Sequence, residues 1–122
     1  MAKKDWYRKE SWSPEDEADF FAHFKRSKTP FNKAQYLRVQ AVTLCATGDL
    51  NLAPTAILLA QQCLDDFPEE RSEIASCYRT IGRCYEQLDN IEATITAYRN
   101  CIEAQREFLI TERAYTSILQ CG

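Results

Sequence analysis

Gly82 constrains the fold more than any other residue of this chain. It stands inside ASCYRTIGRCYEQL, where Tyr78, Ile81, Gly82 and Tyr85 fall at i, i+3, i+4 and i+7, the spacing of one helical face. Glycine inside a helix costs on the order of 1 kcal/mol relative to alanine. It is expected where another helix approaches the backbone closely. A second helix is predicted to open at Asp89, with Glu92 three residues on as an acidic variant of the capping box. Its apolar face runs through Ile91, Thr94, Ile95, Tyr98, Cys101 and Ile102. Residues 75–102 therefore read as an αα-hairpin with a small residue at the crossing.

The same hairpin occurs upstream. Ala34, Leu37, Ala41 and Leu44 match Ala75, Tyr78, Gly82 and Tyr85 at a constant offset of 41. In the following helices, Ala56, Ile57, Ala60, Cys63 and Leu64 match Thr94, Ile95, Tyr98, Cys101 and Ile102 at an offset of 38. The difference of three falls in the turn between Gly48 and Thr55, where an insertion is cheap.

This order of small and large residues resembles the tetratricopeptide repeat (TPR), whose pattern is W-x2-L-G-x2-Y, then Ala, aromatic, Ala and Pro. Tyr78, Ile81, Gly82 and Tyr85 match its first half, and Thr94, Tyr98 and Cys101 stand at the Ala, aromatic and Ala positions. In the first copy Leu37, Ala41 and Leu44 precede a Gly48-Asp49 turn, followed by Ala56, Ala60, Cys63 and Pro68. The match covers residues 34–106; its spacing exceeds the family's period of about 34 residues. Thr94 replaces an alanine, and Arg106 stands where the closing proline belongs. The resemblance implies an all-α fold, a short α-α superhelix of two TPR-like hairpins with an N-terminal and a C-terminal capping helix. The expected boundaries are 1–31 for the N-terminal arm and capping helix, 32–110 for the hairpins (32–68 and 69–108), and 111–122 for the C-terminal cap. The last segment also reads as the start of a longer array.

At 122 residues the chain suits one domain with a single core. Three glycines and four prolines argue against a sandwich, a barrel or disorder. Net charge is -3 with no long single-sign block, so no nucleic-acid partner is expected. MAKKDWYRKE has no apolar run behind it and does not read as a secretory signal. No stretch approaches the 18 or so apolar residues a membrane span requires. The expected compartment is cytoplasmic.

The six cysteines (Cys45, Cys63, Cys77, Cys84, Cys101 and Cys121) include no C-x2-C pair, and the single His23 lies in another segment. Most occupy small apolar positions of the periodic pattern, where a free thiol behaves as a small hydrophobe. Reduced core thiols are expected, with no metal site; Cys121 is the one expected to be exposed.

In the N-terminal segment, Ser13-Pro14-Glu15-Asp16 reads as a helix start, with serine at N-cap, proline at N1 and acids in the first turn. Lys25, Arg26 and Lys28 suit the dipole at its end. Thr29-Pro30-Phe31-Asn32 reads as a break before helices over 32–47, 52–67, 69–88 and 90–107. Trp6, Tyr7 and Trp12 either cover the open end of the first hairpin or grip a partner or a second copy of the chain.

With one histidine, no Gly-rich phosphate loop and no ligand cluster, no catalytic constellation is legible, and neither an enzyme nor a cofactor is expected. The resemblance implies instead a concave face formed by the first helix of each hairpin. Carried over position by position, that face holds Ser76, Arg79, Arg83, Glu86 and Gln87, joined by Gln35 and Arg38 from the first copy and by Arg113. Guanidinium groups on one face suit a carboxylate or acidic peptide through planar bidentate forks. The carboxylate clamp of chaperone-binding members has an asparagine where Arg83 stands, so that specificity is not implied. The expected function is a non-catalytic adaptor or scaffold binding a protein or peptide segment. The alternatives are a self-associating structural domain and a small neutralising, immunity-type binder.

Overall fold

The computed structural model describes the backbone of residues 5–121 and the side chains of residues 5–119, which leaves the Cys121 thiol outside the described residues. Five helices and no strand make up these residues: α1 Pro14–Arg26, α2 Pro30–Ala46, α3 Ala53–Asp66, α4 Arg71–Gln87 and α5 Ile91–Cys121. α1 opens as its sequence predicts. Ser13 Oγ accepts the Asp16 N–H at 3.0 Å, and the Asp16 carboxylate accepts the Ser13 N–H at 2.9 Å. These two bonds satisfy donors that the first helical turn leaves bare. α2 begins two residues before the expected break ends, because Thr29 Oγ1 caps Asn32 N at 3.1 Å and Pro30 takes the first helical position.

The turn into α5 is built differently from the sequence expectation. Asp89 has φ +57° and belongs to the end of α4, where Asn90 N–H bonds to Tyr85 O at 2.9 Å and Asp89 N–H to Glu86 O at 3.1 Å. This is the Schellman closure, whose left-handed position usually carries glycine. The cap of α5 is Asn90, not Asp89: its Oδ1 accepts the Ala93 N–H at 3.1 Å. Gly48, with φ +74°, holds the left-handed position after α2, 41 residues before Asp89. The two helix ends thus keep the offset of the helices that precede them.

α2 packs on α3 and α4 on α5, while α4 also lies against both α2 and α3. The core formed this way contains Leu37, Ala41, Leu44, Leu59, Ala60, Cys63, Cys77, Ile81 and Cys84, with Phe20 from α1. Gly82 is buried, and a Cβ added there would meet the Tyr98 ring at 2.5 Å. The close neighbour is therefore an aromatic side chain of α5 and not a helix backbone, which corrects the expectation. Tyr98 fills the space, and its hydroxyl donates to Glu86 at 2.9 Å. Burial and this carboxylate together hold the Tyr98 phenol above its ordinary pKa.

The arm before α1 closes one side of the first hairpin. Gln40, fully buried on α2, accepts the Lys9 N–H at 3.0 Å and donates to the Lys9 carbonyl at 2.8 Å. Trp6 stacks on His23 with centroids 5.1 Å apart and meets the edges of Tyr36 and Tyr7. Trp6, Tyr7 and Trp12 pack on the core, so the covering role is the one the structure shows for them.

The other end departs from expectation. The expected C-terminal capping helix at 111–122 is not a separate element over its described residues, 111–121; α5 continues through them without a break for 31 residues. No glycine or proline occurs between Ile91 and Gln120, so nothing interrupts the ladder. Residues 111–119 are all exposed. Among the described residues α4 is the helix that packs extensively on α5, so the buried stripe of α5 is narrow. Ala97 and Cys101 are buried, whereas Ile91, Ile95 and Ile102 of the expected apolar face stand in solvent. No described helix is long and apolar enough to cross a membrane.

Candidate functional site

The exposed seam between α4 and α5 forms the principal groove. Antiparallel pairing sets Arg71, Ser72, Ala75, Ser76 and Arg79 of α4 opposite Gln105, Phe108 and Leu109 of α5 around a space of 490 Å³. Towards the turn it continues into a second depression of 330 Å³ lined by Arg79, Arg83, Tyr98, Cys101, Ile102 and Gln105. Positions i, i+4 and i+8 of a helix lie on one face, so Ala75, Arg79 and Arg83 share one edge of α4. Ala75 is small enough to leave the seam open.

The groove is basic along that edge. Arg79 and Arg83 are exposed, and among the described residues neither has a carboxylate within salt-bridge distance. Ser76 and Gln105 add neutral hydrogen-bonding groups. The structure thus brings Ser76, Arg79 and Arg83 together in one seam.

The other residues expected on this face serve different ends. Arg38 is not a free guanidinium: its Nε bonds to Glu73, a buried carboxylate only 8% exposed, which also accepts from Ser72 Oγ at 3.1 Å. That ion pair joins α2 to α4. Gln87 donates to the Cys45 carbonyl at 3.0 Å, a second link between the same helices. Its Oε1 is buried with no hydrogen-bond partner among the described residues. Glu86 accepts the Tyr98 hydroxyl. Gln35 is half-buried on α2 and lines neither part of the groove, and Arg113 is exposed on the overhanging part of α5.

A third cavity, of 170 Å³, lies between α2 and α4 and is lined by Val42, Cys45, Ala46, Thr80, Arg83 and Gln87. Arg83 borders both it and the α4/α5 groove. Cys45, Cys63, Cys77, Cys84 and Cys101 are buried free thiols, in keeping with their small apolar positions in the sequence. Sequence reasoning missed Glu73 and Gln40, the two buried polar residues that tie segments together. A carboxylate or amide on the inner face of a predicted helix was the available signal. Gln105 and Phe108 were missed as well, because the binding face was assigned to the first helix of each hairpin, whereas the groove takes its second wall from α5. No family model matches this chain, and no curated protein or solved structure matches it either.

Proposed function

We propose that the chain is a non-catalytic, TPR-like protein-binding module, an adaptor or scaffold acting in the cytoplasm. Its hairpins seat a protein or peptide segment bearing carboxylates, and it works without a cofactor. The observation that carries this reading is the pair Arg79 and Arg83, exposed and one turn apart on the wall of an open groove. A guanidinium offers a planar fork to a carboxylate, and two forks about 6 Å apart suit acidic residues on an extended or helical segment. Phe108 and Ala75 supply apolar contact beside them. Arg38 and Gln87 position α4 against α2 and so hold the arginine edge in place.

An array of short acid-rich peptides, each with a lysine-substituted counterpart, tests the reading by fluorescence anisotropy. The wild-type chain is expected to bind acidic members over their counterparts. Arg79→Glu with Arg83→Glu should weaken binding at least about tenfold, equivalent to about 1.4 kcal/mol, with helical circular dichroism unchanged. Equal binding by both proteins removes the groove from the account.

Self-association is favoured by a separate observation. Leu109, Ile110, Tyr115, Ile118 and Leu119 of α5 are 60–69% exposed, an apolar surface that monomeric proteins seldom leave bare. The aromatic arm does not favour it, because its rings pack on the chain's own core. A dimeric mass by light scattering at micromolar concentration supports association through α5; a monomer removes it.

A further inference from the structure

Arg79 follows Arg38 by 41 residues, the offset that relates the leading helices of the two hairpins. The two arginines meet different surroundings. α4 lies against both α2 and α3, and from that seat Glu73 answers Arg38. There α4 runs parallel to α2, since Glu73 bonds to Arg38 and Gln87, further along, bonds to the Cys45 carbonyl. The equivalent seat on the second hairpin is the open α4/α5 groove, where Arg79 and Arg83 have no carboxylate partner among the described residues. By the precedent of the first hairpin, this seat takes a helix that runs parallel to α4 and carries a carboxylate.

α5 has the surface such a helix needs. Ile95, Tyr98, Ile102, Gln105 and Leu109 are spaced alternately by three and four residues, the repeat by which two long helices mesh along one stripe. The same spacing continues through Glu112, Thr116 and Leu119 on the overhang. Ile95, Ile102, Leu109 and Leu119 are 45–63% exposed. Glu112 is exposed too, with no cation within salt-bridge distance among the described residues. The unbroken α5 runs away from its own seam, so its overhang meets such a seam on a second copy.

We propose that the occupant of the groove is the α5 overhang of a second copy, in a twofold dimer whose α5 helices pair antiparallel and place Glu112 of each copy on Arg79 and Arg83 of the other. This assignment, which rests on the groove being a seat for carboxylates, makes the chain its own partner. A helix antiparallel to α5 is parallel to α4, the direction that the first hairpin's seat sets. With Leu109 of one copy beside Gln105 of the other, the three-four spacing brings Glu112 beside Ile102, at the level of Arg79 and Arg83. It also brings Leu119 beside Ile95, a seam of about 36 Å. A slip of seven residues keeps the stripes in contact but takes Glu112 away from the arginines, so the ion pairs select the register.

Sedimentation velocity on the full chain tests the dimer. Glu112→Arg, and separately Arg79→Glu with Arg83→Glu, should each weaken it at least about tenfold, because like charges then meet at both sites. Mixing the two variants should restore a heterodimer of wild-type affinity, since opposite charges meet again at both sites. A monomeric wild-type chain, a variant that dimerises as tightly as wild type, or a mixture that stays monomeric overturns the proposal. All three side chains are exposed, and circular dichroism checks each fold. Where the double variant fails to fold, Arg79→Glu mixed with Glu112→Arg reads the same rescue. A monomeric wild type that still binds acidic peptides ends the dimer and leaves the groove reading standing. A rescued dimer that binds no such peptide upholds the dimer and removes the foreign partner.

Discussion

Ala34, Leu37, Gln40, Ala41, Leu44 and Cys45 of α2 are all buried, because the N-terminal arm covers one side of the first hairpin and α4 covers the other. On α5, among the described side chains, only Ala97 and Cys101 reach that state. The hairpins follow one small/large pattern, so the difference comes from neighbours. A helical pair buries one stripe within itself and needs material on both flanks to bury the rest. The second hairpin has α2 and α3 on one flank and open seam on the other, and that open seam is where Arg79 and Arg83 are left unpaired.

The largest effect should come from the junction that closes the first hairpin. Arg38→Ala leaves Glu73 buried with only Ser72 to answer it. Removing one partner of a buried pair costs about 3–5 kcal/mol. The guanidinium is 25% exposed, which places the expected loss near the low end, about 3 kcal/mol. Arg79→Ala, on the open seam, should cost less than about 0.5 kcal/mol. Urea denaturation of both variants checks the contrast; comparable losses would mean the two arginines are not in different environments. Next comes the opposite flank. Gln40→Ala leaves both backbone groups of Lys9 without partners and opens a void under the arm. A loss of about 2–3 kcal/mol is expected, with a rise in Trp6 solvent exposure seen by fluorescence quenching.

The crossings sharpen the comparison further. At equivalent positions the first hairpin has Ala41 and Ala60, the second Gly82 and Tyr98. Bulk has moved from one helix to the other. Gly82→Ala should lose about 1–2 kcal/mol, since a Cβ enters the Tyr98 ring and overpacking outweighs the gain in helix propensity. Combined with Tyr98→Leu the loss should shrink, and an additive double-mutant cycle would deny the contact. The helix ends differ in the same fashion. Asp89 sits at φ +57°, where the first copy has Gly48. Asp89→Gly should raise stability by about 0.5–1 kcal/mol by relieving the left-handed strain, and a fall would mean the aspartate side chain stabilises the turn.

How much of this was legible in the sequence follows from what each residue obeys. Helix existence and order were readable because periodicity and the Ser13 and Pro14 start act locally. The Asn90 cap was missed because Asp89 is an equally good capping residue by type, and only the left-handed backbone of Asp89 decides between them. The unbroken α5 was missed because the last segment read as a separate cap or as the start of a longer array, while the absence of any glycine or proline between Ile91 and Gln120 was the stronger signal. Of the candidate site, Arg79 and Arg83 were legible as outward positions of α4. Arg38 looked equivalent by pattern, yet it lies opposite Glu73, a residue 35 positions away that no local rule connects to it.

The smallest effect should come from the overhang. α4 spans 17 residues and α5 spans 31, so about 14 residues, or about 21 Å of helix, extend beyond the start of α4. Every described side chain from Thr111 to Leu119 is exposed, and the described ion pairs and core residues lie elsewhere. Ending the chain after Ile110 should therefore change the stability of the remaining fold by less than about 0.5 kcal/mol at low protein concentration. The same deletion removes Tyr115, Ile118 and Leu119, the larger part of the exposed apolar surface at this end. The concentration dependence of the thermal midpoint separates the two consequences. A midpoint that rises with concentration in the full chain and stays flat in the shortened one assigns the overhang to association between copies. A midpoint that drops in the shortened chain at every concentration would show that the overhang supports the second hairpin itself, and the contrast between an enclosed and an open hairpin would fail.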